Sequence, residues 1–344
     1  MKNKYIHTFQ YLRVFAFLLI FISHCSFLTK STVYLGAFGV SIFIMMSGFL
    51  EYLKAPLDNK MWIDINRLKK RVVQIFPLHF ITFLMAVPLS GVIGEILGGH
   101  TDTLIGYGLR AIVNLSMLQS FIPIKGLYFS FNSVSWYLTI VFVLEVISKP
   151  VAYVVRTCVC KIRGGVWIGL IMLIQVVYTL LVSQSQIAHW LVYINPLFRV
   201  LDFMIGMFLA AECTKIKEKS KWSGLLLFLP VVIMVLSCFV GESIPYIKNM
   251  FLNVIWIPAS IIIIKMLYEV NAQNTVPRGI IYGLGGIGLE LFLIHQLIIR
   301  YANHIITSDA VIVCLIKVVL CLFITIILAI LFHKTTEKVH KKFC

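Results

Sequence analysis

The sequence has little charge for its length. Only 13% of the 344 residues are charged, against roughly a quarter in soluble domains, and 60% are apolar. So little charge leaves no room for a soluble domain with a polar surface. Lys and Arg outnumber Asp and Glu by 30 to 14, but they form no compact basic domain of the kind that binds nucleic acid.

The sequence also lacks paired cysteines and internal repeats. None of its eight cysteines stands in a spacing typical of metal ligands, so we expect no metal cofactor. No period or duplicated motif links the two halves of the chain, which argues against the inverted repeats common in secondary transporters. The expected class is therefore an integral membrane protein that works without a metal.

Apolar runs of about 20 residues, the length that crosses the hydrocarbon core of a bilayer, recur along the whole chain. They predict an all-α, polytopic transmembrane bundle of about ten spans in a single domain, residues 1–344. The predicted spans are 9–28, 33–53, 72–92, 134–156, 165–183, 189–211, 222–240, 249–268, 280–300 and 310–333. The first run is too long for the core of a signal peptide, so we expect it to remain as a span.

Basic residues are distributed unequally between the connections of this bundle. If both termini are cytoplasmic, the inner segments carry most of the Lys and Arg residues, including the clusters at 67–71 and 215–221. The basic residues of the outer segments are then Lys30, Arg110, Lys125, Lys248 and Arg300. The excess of positive charge on inner loops therefore predicts cytoplasmic N- and C-termini.

One long outer connection, residues 93–133, interrupts the pattern of spans. Its apolar stretch from Leu104 to Phe121 contains Arg110 and Asn114, which do not suit a bilayer centre. We expect a helix that lies at the outer interface or enters the bilayer partway. An eleventh span is the alternative, but it would place the basic cluster 215–221 outside.

The first span contains two ionisable residues, Arg13 and His24. They are 11 positions apart, so on an α-helix they face the same way within about 20° and lie about 16 Å apart along the axis. An imidazole can accept a proton near neutral pH, which makes His24 a candidate general base. The alternative is that each side chain extends to the nearest interface.

The second span and the loop after it carry small and basic residues. Gly39, Ser47 and Gly48 allow close contact between helices. The basic cluster 67–71 precedes Pro77 and can hold phosphate groups or anionic lipid, or act only as a topology signal.

Other ionisable residues fall within later spans. Arg199 and Asp202 are three apart and can pair on one helix face, either as a structural ion pair or as part of a substrate site. Glu290 and His295 are five apart, about 140° around a helix, so they do not share a face. His79 is expected to be a packed aromatic ring outside the site.

The order of these features resembles membrane acyltransferase family 3, the integral membrane O-acyltransferases that modify sugars. The matching stretches are Leu12-Arg13 through His24, Gly39-Val40 to Ser47-Gly48-Phe49, Arg71 with Pro77, Ser135 to Leu138, Asn195 to Arg199 with Phe203 and Gly206-Met207, and Leu291 to His295. Arg13 and His24 stand at the family's Arg-x10-His separation. The resemblance covers nearly the whole chain and implies the same ten-helix fold.

The chain departs from the family pattern at two positions. The family usually has two arginines three apart in the second loop, whereas Arg71 is followed at that distance by Gln74. Many members carry a glutamate five residues after the tryptophan, where this chain has Val141; Glu145 stands nine residues after Trp136. Donor binding and the role of Glu145 are therefore open.

The resemblance implies transfer of an acyl group, most simply acetyl, from cytoplasmic acetyl-CoA or another acyl-CoA. The acceptor would be a hydroxyl of a cell-surface polysaccharide, a glycan or a lipid-linked sugar precursor, and the location the cytoplasmic (inner) membrane. The implied catalytic residues are His24 and Arg13; the implied donor-binding residues are Arg67, Lys70, Arg71 and Ser47; the implied acceptor-binding residues are Trp136, Glu145, Arg199 and His295.

Several alternatives stay open at this point. His24 either deprotonates the acceptor hydroxyl or carries the acyl group covalently. A transporter or flippase of a glycan precursor would use the same buried charges as a conduction path. A lipid-binding scaffold without chemistry leaves the spacing of Arg13 and His24 unexplained. The oligomeric state is not indicated.

Overall fold

The structure is a computed structural model, and it describes residues 6–25, 33–54, 64–97, 101–215, 226, 228–239, 244–273, 277–308 and 310–343. Every regular element in these ranges is helical, which confirms the predicted all-α class. The α-helices are α1 (Thr8–His24), α2 (Val33–Lys54), α3 (Ile65–Ala86), α4 (Val92–Leu97), α5 (Thr101–Leu115), α6 (Lys125–Tyr128), α7 (Trp136–Lys161), α8 (Gly164–Val182), α9 (Pro196–Lys215), α10 (Phe228–Ser237), α11 (Pro245–Leu252), α12 (Trp256–Gln273), α13 (Ile280–Gly286), α14 (Gly288–Ile305) and α15 (Val311–Phe343).

About six of the described helical segments are long and apolar enough to cross a bilayer. They are α2, α3, α7, α8, the α11–α12 stretch and α15, and the broken pair α13–α14 makes a seventh if it counts as one span. The protein is therefore a multi-pass membrane protein. Helices also lie at the other predicted spans, but α1 and α10 are shorter, so the count of ten stays a prediction.

The long outer connection contains short helices. α5 has 15 residues and falls below the length of a candidate span, so it gives no support to an eleventh crossing. It is amphipathic, since Ile105, Leu109 and Ile112 recur at helical spacing on its exposed side. Helix α6 and two 3-10 turns, Gln119–Phe121 and Ser133–Ser135, complete the connection before α7.

The chain divides into two compact units, a division that the sequence does not indicate. Unit 1 consists of Met1–Asp64 and Val146–Gly286, and unit 2 consists of Ile65–Glu145 and Ile287–Cys344. The chain passes from one unit to the other just before α3, within α7, and at the break between α13 and α14.

Helix α2 forms the centre of unit 1, where it packs mainly against α1 and α9. The contact with α9 depends on two glycines. A Cβ on Gly48 would overlap the carbonyl oxygen of Phe203, and a Cβ on Gly206 would overlap the carbonyl oxygen of Met45. Each helix thus presents a glycine to the backbone of the other, the close contact that small residues allow in membrane helices.

Helices α3, α14 and α15 pack together in unit 2. α14 and α15 are antiparallel, because Glu290 and His333 pair at one end while Lys317 Nζ donates to Asn303 Oδ1 at the other, over 3.2 Å. Lys317 is 3% exposed and its amine also donates to a carbonyl just after α14. This fixes the beginning of α15 against the end of α14.

Candidate active site

Arg13 and His24 lie on one continuous helix, α1, as the sequence predicts. Arg13 Nη1 donates to Gln10 Oε1 over 2.8 Å, one turn earlier, and His24 is the last residue of the helix. Both side chains are partly exposed, whereas Phe17 and Ile20, which lie between them on about the same face, are buried. The two polar groups are therefore separated by an apolar stretch along a span of about 16 Å.

Helix α2 determines which face of α1 is covered. A Cβ on Gly39 would meet the Ala16 carbonyl and the Ile20 side chain, and one on Gly36 would meet Ser23 Oγ. Because the backbone of α2 at Gly39 lies directly against the backbone of α1 at Ala16, α1 cannot rotate about its axis without a clash. Arg13 and His24 are thereby held in fixed directions within unit 1.

Ser47 is exposed on α2 beside the buried Gly48. Its hydroxyl donates to the carbonyl of Phe43, four residues earlier, over 2.7 Å. The hydroxyl proton is used within the helix. Ser47 can therefore interact with a ligand only as a hydrogen-bond acceptor, through the lone pairs of its oxygen.

Arg199 is fully buried, and its hydrogen bonds are nearly complete. Its Nη1 donates to Asp202 Oδ2 over 2.7 Å and to Asn253 Oδ1 over 2.8 Å, and its Nε donates to the Tyr193 carbonyl over 2.9 Å. Its Nη2 approaches the Leu252 carbonyl at 3.5 Å. The guanidinium also lies 4.8 Å from the centre of the Tyr193 ring. Of the two roles left open by the sequence, this geometry favours the structural one.

Asp202 has a second partner, since Gln175 Nε2 on α8 donates to its Oδ1 over 2.8 Å. The pair with Arg199 therefore joins α8, α9, the turn of Tyr193 and the break between α11 and α12. A substrate could reach the guanidinium only by displacing these partners.

The first turns of α3 carry the basic cluster, now in unit 2. Arg67 forms an ion pair with Glu145 of α7, so the structure joins two residues that the resemblance assigns to donor and acceptor binding, respectively. Lys69 and Lys70 are exposed. Arg71 is partly buried, and its Nε is a buried donor without a hydrogen-bond partner in the described part of the chain. Lys70 and Arg71 thus remain suited to hold an anion.

Trp136 and His295 both lie in the interior of unit 2. Trp136 is 5% exposed, and its carbonyl accepts a hydrogen bond from Ser120 Oγ over 2.7 Å. The ring of the next residue, Tyr137, lies 5.0 Å from that of Phe292, which is 5.9 Å from the imidazole of His295. A chain of aromatic contacts therefore connects the two predicted residues.

The hydrogen bonding of His295 defines its tautomer. Its Nδ1 lies 2.7 Å from the carbonyl oxygen of Phe292, and a carbonyl oxygen can only accept. In the neutral imidazole the proton therefore resides on Nδ1, and the lone pair is on Nε2. The Nε2 atom is buried and is the atom through which His295 can accept a proton or a hydrogen bond.

Two polar features of unit 2 are absent from the sequence-based site. Glu290 does not act with its neighbour His295; it pairs with His333, whose Nδ1 lies 2.7 Å from Glu290 Oε1. His79 is buried, as expected, but its Nε2 donates to the Asn114 carbonyl over 2.9 Å, so it belongs to a polar cluster and is not simply a packed ring. The only signal in the sequence is the presence of Asn114 and Gln119 in an apolar stretch.

Among the residues with described positions, no three His, Cys, Asp or Glu side chains gather as a metal site would require. The predicted site residues are divided between the units. Arg13, His24, Ser47 and Arg199 lie in unit 1; Arg67, Lys70, Arg71, Trp136, Glu145 and His295 lie in unit 2.

Comparison with known proteins agrees with the resemblance. Residues 6–334 match the family model of acyltransferase family 3, described as an acyltransferase domain. The chain is 24% identical over 294 residues to acyltransferase MdmB of Streptomyces mycarofaciens, an alignment that covers 80% of this chain and 71% of that protein. No solved structure matches. The chain therefore belongs to acyltransferase family 3, a family of membrane acyltransferases.

Proposed function

We propose that this protein is an O-acetyltransferase, which transfers an acetyl group from cytoplasmic acetyl-CoA to a hydroxyl of a cell-surface polysaccharide or glycan precursor. The observation that carries the proposal is the placement of Arg13 and His24 on one helix whose orientation α2 fixes, within a chain that matches an acyltransferase family over residues 6–334. The acceptor oxygen attacks the thioester carbonyl, the carbon–sulfur bond breaks, and the hydroxyl proton ends on the released CoA thiol.

His24 is the proposed base for this reaction. It takes the hydroxyl proton directly, or it accepts the acetyl group and passes it on as an acyl-imidazole. Arg13 carries a permanent positive charge and stabilises the negative charge that develops on the thioester oxygen, or orients the donor. Gln10 holds the Arg13 guanidinium by the 2.8 Å hydrogen bond described above.

The donor's phosphates are assigned to the basic beginning of α3. Because Glu145 already neutralises Arg67, we assign phosphate binding chiefly to Arg71 and Lys70, and we assign Arg67 to positioning. Glu145 then acts on the donor side through Arg67, which differs from the acceptor role implied by the resemblance. Ser47 is retained as an acceptor of hydrogen bonds from the donor.

The acceptor is assigned to the surroundings of Trp136 and His295. Tryptophan offers an aromatic face, and His295 Nε2 offers a lone pair to a hydroxyl. Arg199, whose partners are all within the protein, supports the acceptor side only through the packing of unit 1.

We also propose a topology of ten spans with cytoplasmic termini in the cytoplasmic membrane. The unequal distribution of basic residues supports it. Cys160 is exposed near the end of α7 and should lie on the cytoplasmic side. In a variant with the exposed Cys238 replaced by Ala, a membrane-impermeant maleimide should therefore label Cys160 only after the cells are opened, and labelling of Cys160 in intact cells would reject this orientation.

The transferase proposal can be tested with radiolabelled acetyl-CoA and membranes that contain the cell-surface glycans of the organism from which the protein comes. His24→Ala should reduce label transfer by roughly 10² to 10⁴-fold, the usual contribution of an acid–base group. The matched control is His304→Ala, which removes an exposed histidine at the end of α14 and should leave transfer unchanged.

A transporter or flippase is the alternative function, and the same preparation tests it. If intact protein transfers no label while a glycan precursor still crosses the membrane, transport replaces transfer as the function. If His24→Ala transfers as well as the parent at matched expression, the enzyme assignment stands but His24 is not its base.

A further inference from the structure

Unit 2 contains a group of buried polar side chains that the site described above does not use. His79 lies on α3, Asn114 on α5, and Gln119 and Asn132 between α5 and α7; each is 0% exposed. We call these four residues the amide cluster. Buried polar groups are costly in so apolar a chain, so the cluster requires a physical reason.

Hydrogen bonds join the members of the amide cluster through Ser135. His79 Nε2 donates to the Asn114 carbonyl over 2.9 Å, and Asn114 Nδ2 lies 3.3 Å from Ser135 Oγ. Gln119 Nε2 donates to the Ser135 carbonyl over 2.9 Å. The Ser135 amide in turn donates to the Asn132 carbonyl over 2.9 Å. The four residues therefore lie close together.

The donors of the cluster are satisfied, which defines where its acceptors are. The Asn114 amide nitrogen faces the Ser130 carbonyl at 3.0 Å, and the Asn132 amide nitrogen faces the Leu293 carbonyl at 2.9 Å. Because a backbone carbonyl oxygen can only accept, the side-chain NH₂ group of each asparagine faces it. The side-chain oxygen of each asparagine must therefore point away from that carbonyl. The same argument places the lone pair of neutral His79 on Nδ1.

Four acceptor atoms of the cluster remain buried without a hydrogen-bond partner in the described ranges. They are His79 Nδ1, Asn114 Oδ1, Gln119 Oε1 and Asn132 Oδ1. A buried acceptor without a donor is destabilising, and a polar network with several of them is more so. The cluster is thus built to receive groups that donate hydrogen bonds.

The chemistry of these four atoms selects the ligand class. A phosphate or carboxylate offers only acceptors and would be repelled by four lone-pair atoms. A neutral polyol offers several O–H donors and no net charge, as four acceptors require. The amide cluster therefore suits a sugar and not the charged part of an acyl-CoA donor.

The backbone just before Asn132 is strained. Phe131 has a φ of 56°, a region that residues with a Cβ rarely adopt. Met117 has a similar φ of 57°, but there the bonds from Met117 N to the Asn114 carbonyl and from Leu118 N to the Val113 carbonyl form an ordinary C-terminal cap of α5. Phe131 is kept there by Arg300 Nη1, which donates to its carbonyl over 2.7 Å, and by its ring, which lies 4.4 Å from that of Phe83. Strain that the surroundings maintain in this way is typical of ligand sites.

The amide cluster lies beside the predicted acceptor residues of unit 2. Asn132 binds the backbone of α14 at Leu293, two residues before His295. Ser135, which joins the cluster, immediately precedes Trp136. Tyr301 Oη also donates to the Met85 carbonyl over 2.6 Å, so α3 and α14 meet six residues after His79 and His295, respectively.

We propose that the amide cluster binds hydroxyl groups of a neutral polyol, the sugar acceptor of the transfer reaction. This inference rests on the proposed function for the identity of the ligand as acceptor. The acceptors are closed off from solvent, so the segment between Met117 and Phe131 must move when the sugar enters.

Hydrogen–deuterium exchange of the parent protein in lipid nanodiscs tests the proposal without an acyl donor. The probes are the methyl glycosides of glucose, galactose and N-acetylglucosamine, with sulfate, an anion without hydroxyl donors, as the comparison. A neutral glycoside should slow exchange in residues 114–136 and leave α8 unchanged, which excludes a general osmolyte effect. If none of the neutral glycosides protects residues 114–136, or if the anion protects them equally, the proposal is wrong.

His79→Gln and His79→Leu form a matched pair. Glutamine Nε2 can occupy the position of the histidine Nε2 and keep the bond to the Asn114 carbonyl, but it lacks the Nδ1 acceptor. His79→Gln should unfold at the same temperature as the parent and require at least about tenfold more glycoside for the same protection. His79→Leu should show the same loss of protection and, in addition, should unfold at a lower temperature. Unchanged protection in His79→Gln would show that the glycoside does not contact His79 Nδ1 and would contradict binding at the amide cluster.

The proposed function can fail separately. If a glycoside protects residues 114–136 in the parent but no acetyl group is ever transferred from acetyl-CoA, the cluster is a polyol site in a protein that is not a transferase. Because the parent's response needs no variant, a poorly folded His79→Gln protein would leave the test intact.

Discussion

The two units each contain a buried polar network, and the networks differ in charge and in which atoms lack a partner. In unit 1, the charged network pairs Arg199 with Asp202 and with Tyr193, Gln175 and Asn253, and it leaves one acceptor, Gln175 Oε1, and one donor, Asn253 Nδ2, without a partner in the described ranges. In unit 2, the neutral amide cluster satisfies its donors and leaves four acceptor atoms without partners in the described ranges. A paired buried charge holds helices together, whereas a set of acceptors without donors is suited to recognise a ligand that donates hydrogen bonds. The predictions that follow test this difference.

The largest effect should come from breaking the charged network of unit 1. Arg199→Ala leaves the buried Asp202 carboxylate without its cation and should reduce the free energy of unfolding by about 3–5 kcal/mol, as removal of one partner of a buried ion pair does. Thermal unfolding in detergent micelles, followed by tryptophan fluorescence, measures this loss.

The double variant Arg199→Met with Asp202→Leu is the control. Apolar replacement of both charges should restore much of the stability, since no buried charge is left unpaired. Acetyl transfer should survive in this double variant. A stable Arg199→Ala protein that has lost transfer would instead place Arg199 in the acceptor site.

The second effect concerns the helix packing around the charged network of unit 1. Gly206→Ala would place a methyl group against the Met45 carbonyl and should destabilise the protein by about 1–3 kcal/mol, the usual cost of overpacking. Gly169→Ala on α8 is the control, because a Cβ there has no neighbour within 4 Å. Equal unfolding temperatures for the two variants would contradict the close contact of α2 with α9.

The third effect compares two arginines at the beginning of α3. Arg71, with its Nε lacking a described partner, should bind the donor, whereas Arg67 is paired with Glu145. Arg71→Ala should raise KM for acetyl-CoA about tenfold, near 1.4 kcal/mol, and leave kcat largely unchanged, since phosphate contacts bind ground and transition states alike. Arg67→Ala should change KM less. A larger effect on KM from Arg67→Ala would reverse the assignment of the two residues.

The smallest effect should come from the pair of Glu290 and His333. Only 11% of the Glu290 side chain is exposed, but the His333 side chain is 42% exposed, so water and salt weaken the interaction from that side. Glu290→Gln should therefore cost about 1 kcal/mol, the upper end of the range of exposed ion pairs. Unfolding temperatures at low and high salt should converge for parent and variant. A loss comparable to that of Arg199→Ala would show that this pair is a second buried clamp.

Local spacing was enough to predict much of the fold. Apolar runs indicated helices α2, α3, α7, α8 and α15, because the pattern needs no knowledge of distant residues. The same arithmetic placed Arg13 and His24 on one helix and allowed Arg199 and Asp202 to pair.

Contacts between distant parts of the chain could not be predicted in this way. Glu290 meets His333, 43 residues later, and Arg67 meets Glu145 on another helix. The amide cluster depends on α3, α5 and the connection before α7 meeting around Ser135. Helical periodicity relates residues one or two turns apart and carries no information about such meetings, so neither the ion pair of Arg67 with Glu145 nor the place of His79 in the amide cluster can be predicted from it.

The reciprocal glycine contacts of α2 and α9 have a consequence for motion within unit 1. With Gly48 against the Phe203 carbonyl and Gly206 against the Met45 carbonyl, neither helix can twist or slide by part of a turn without driving a side chain into the other's backbone. The two helices should therefore move as a single rod during turnover. A disulfide or cross-link that joins α2 to α9 should leave the catalytic cycle running at its normal speed.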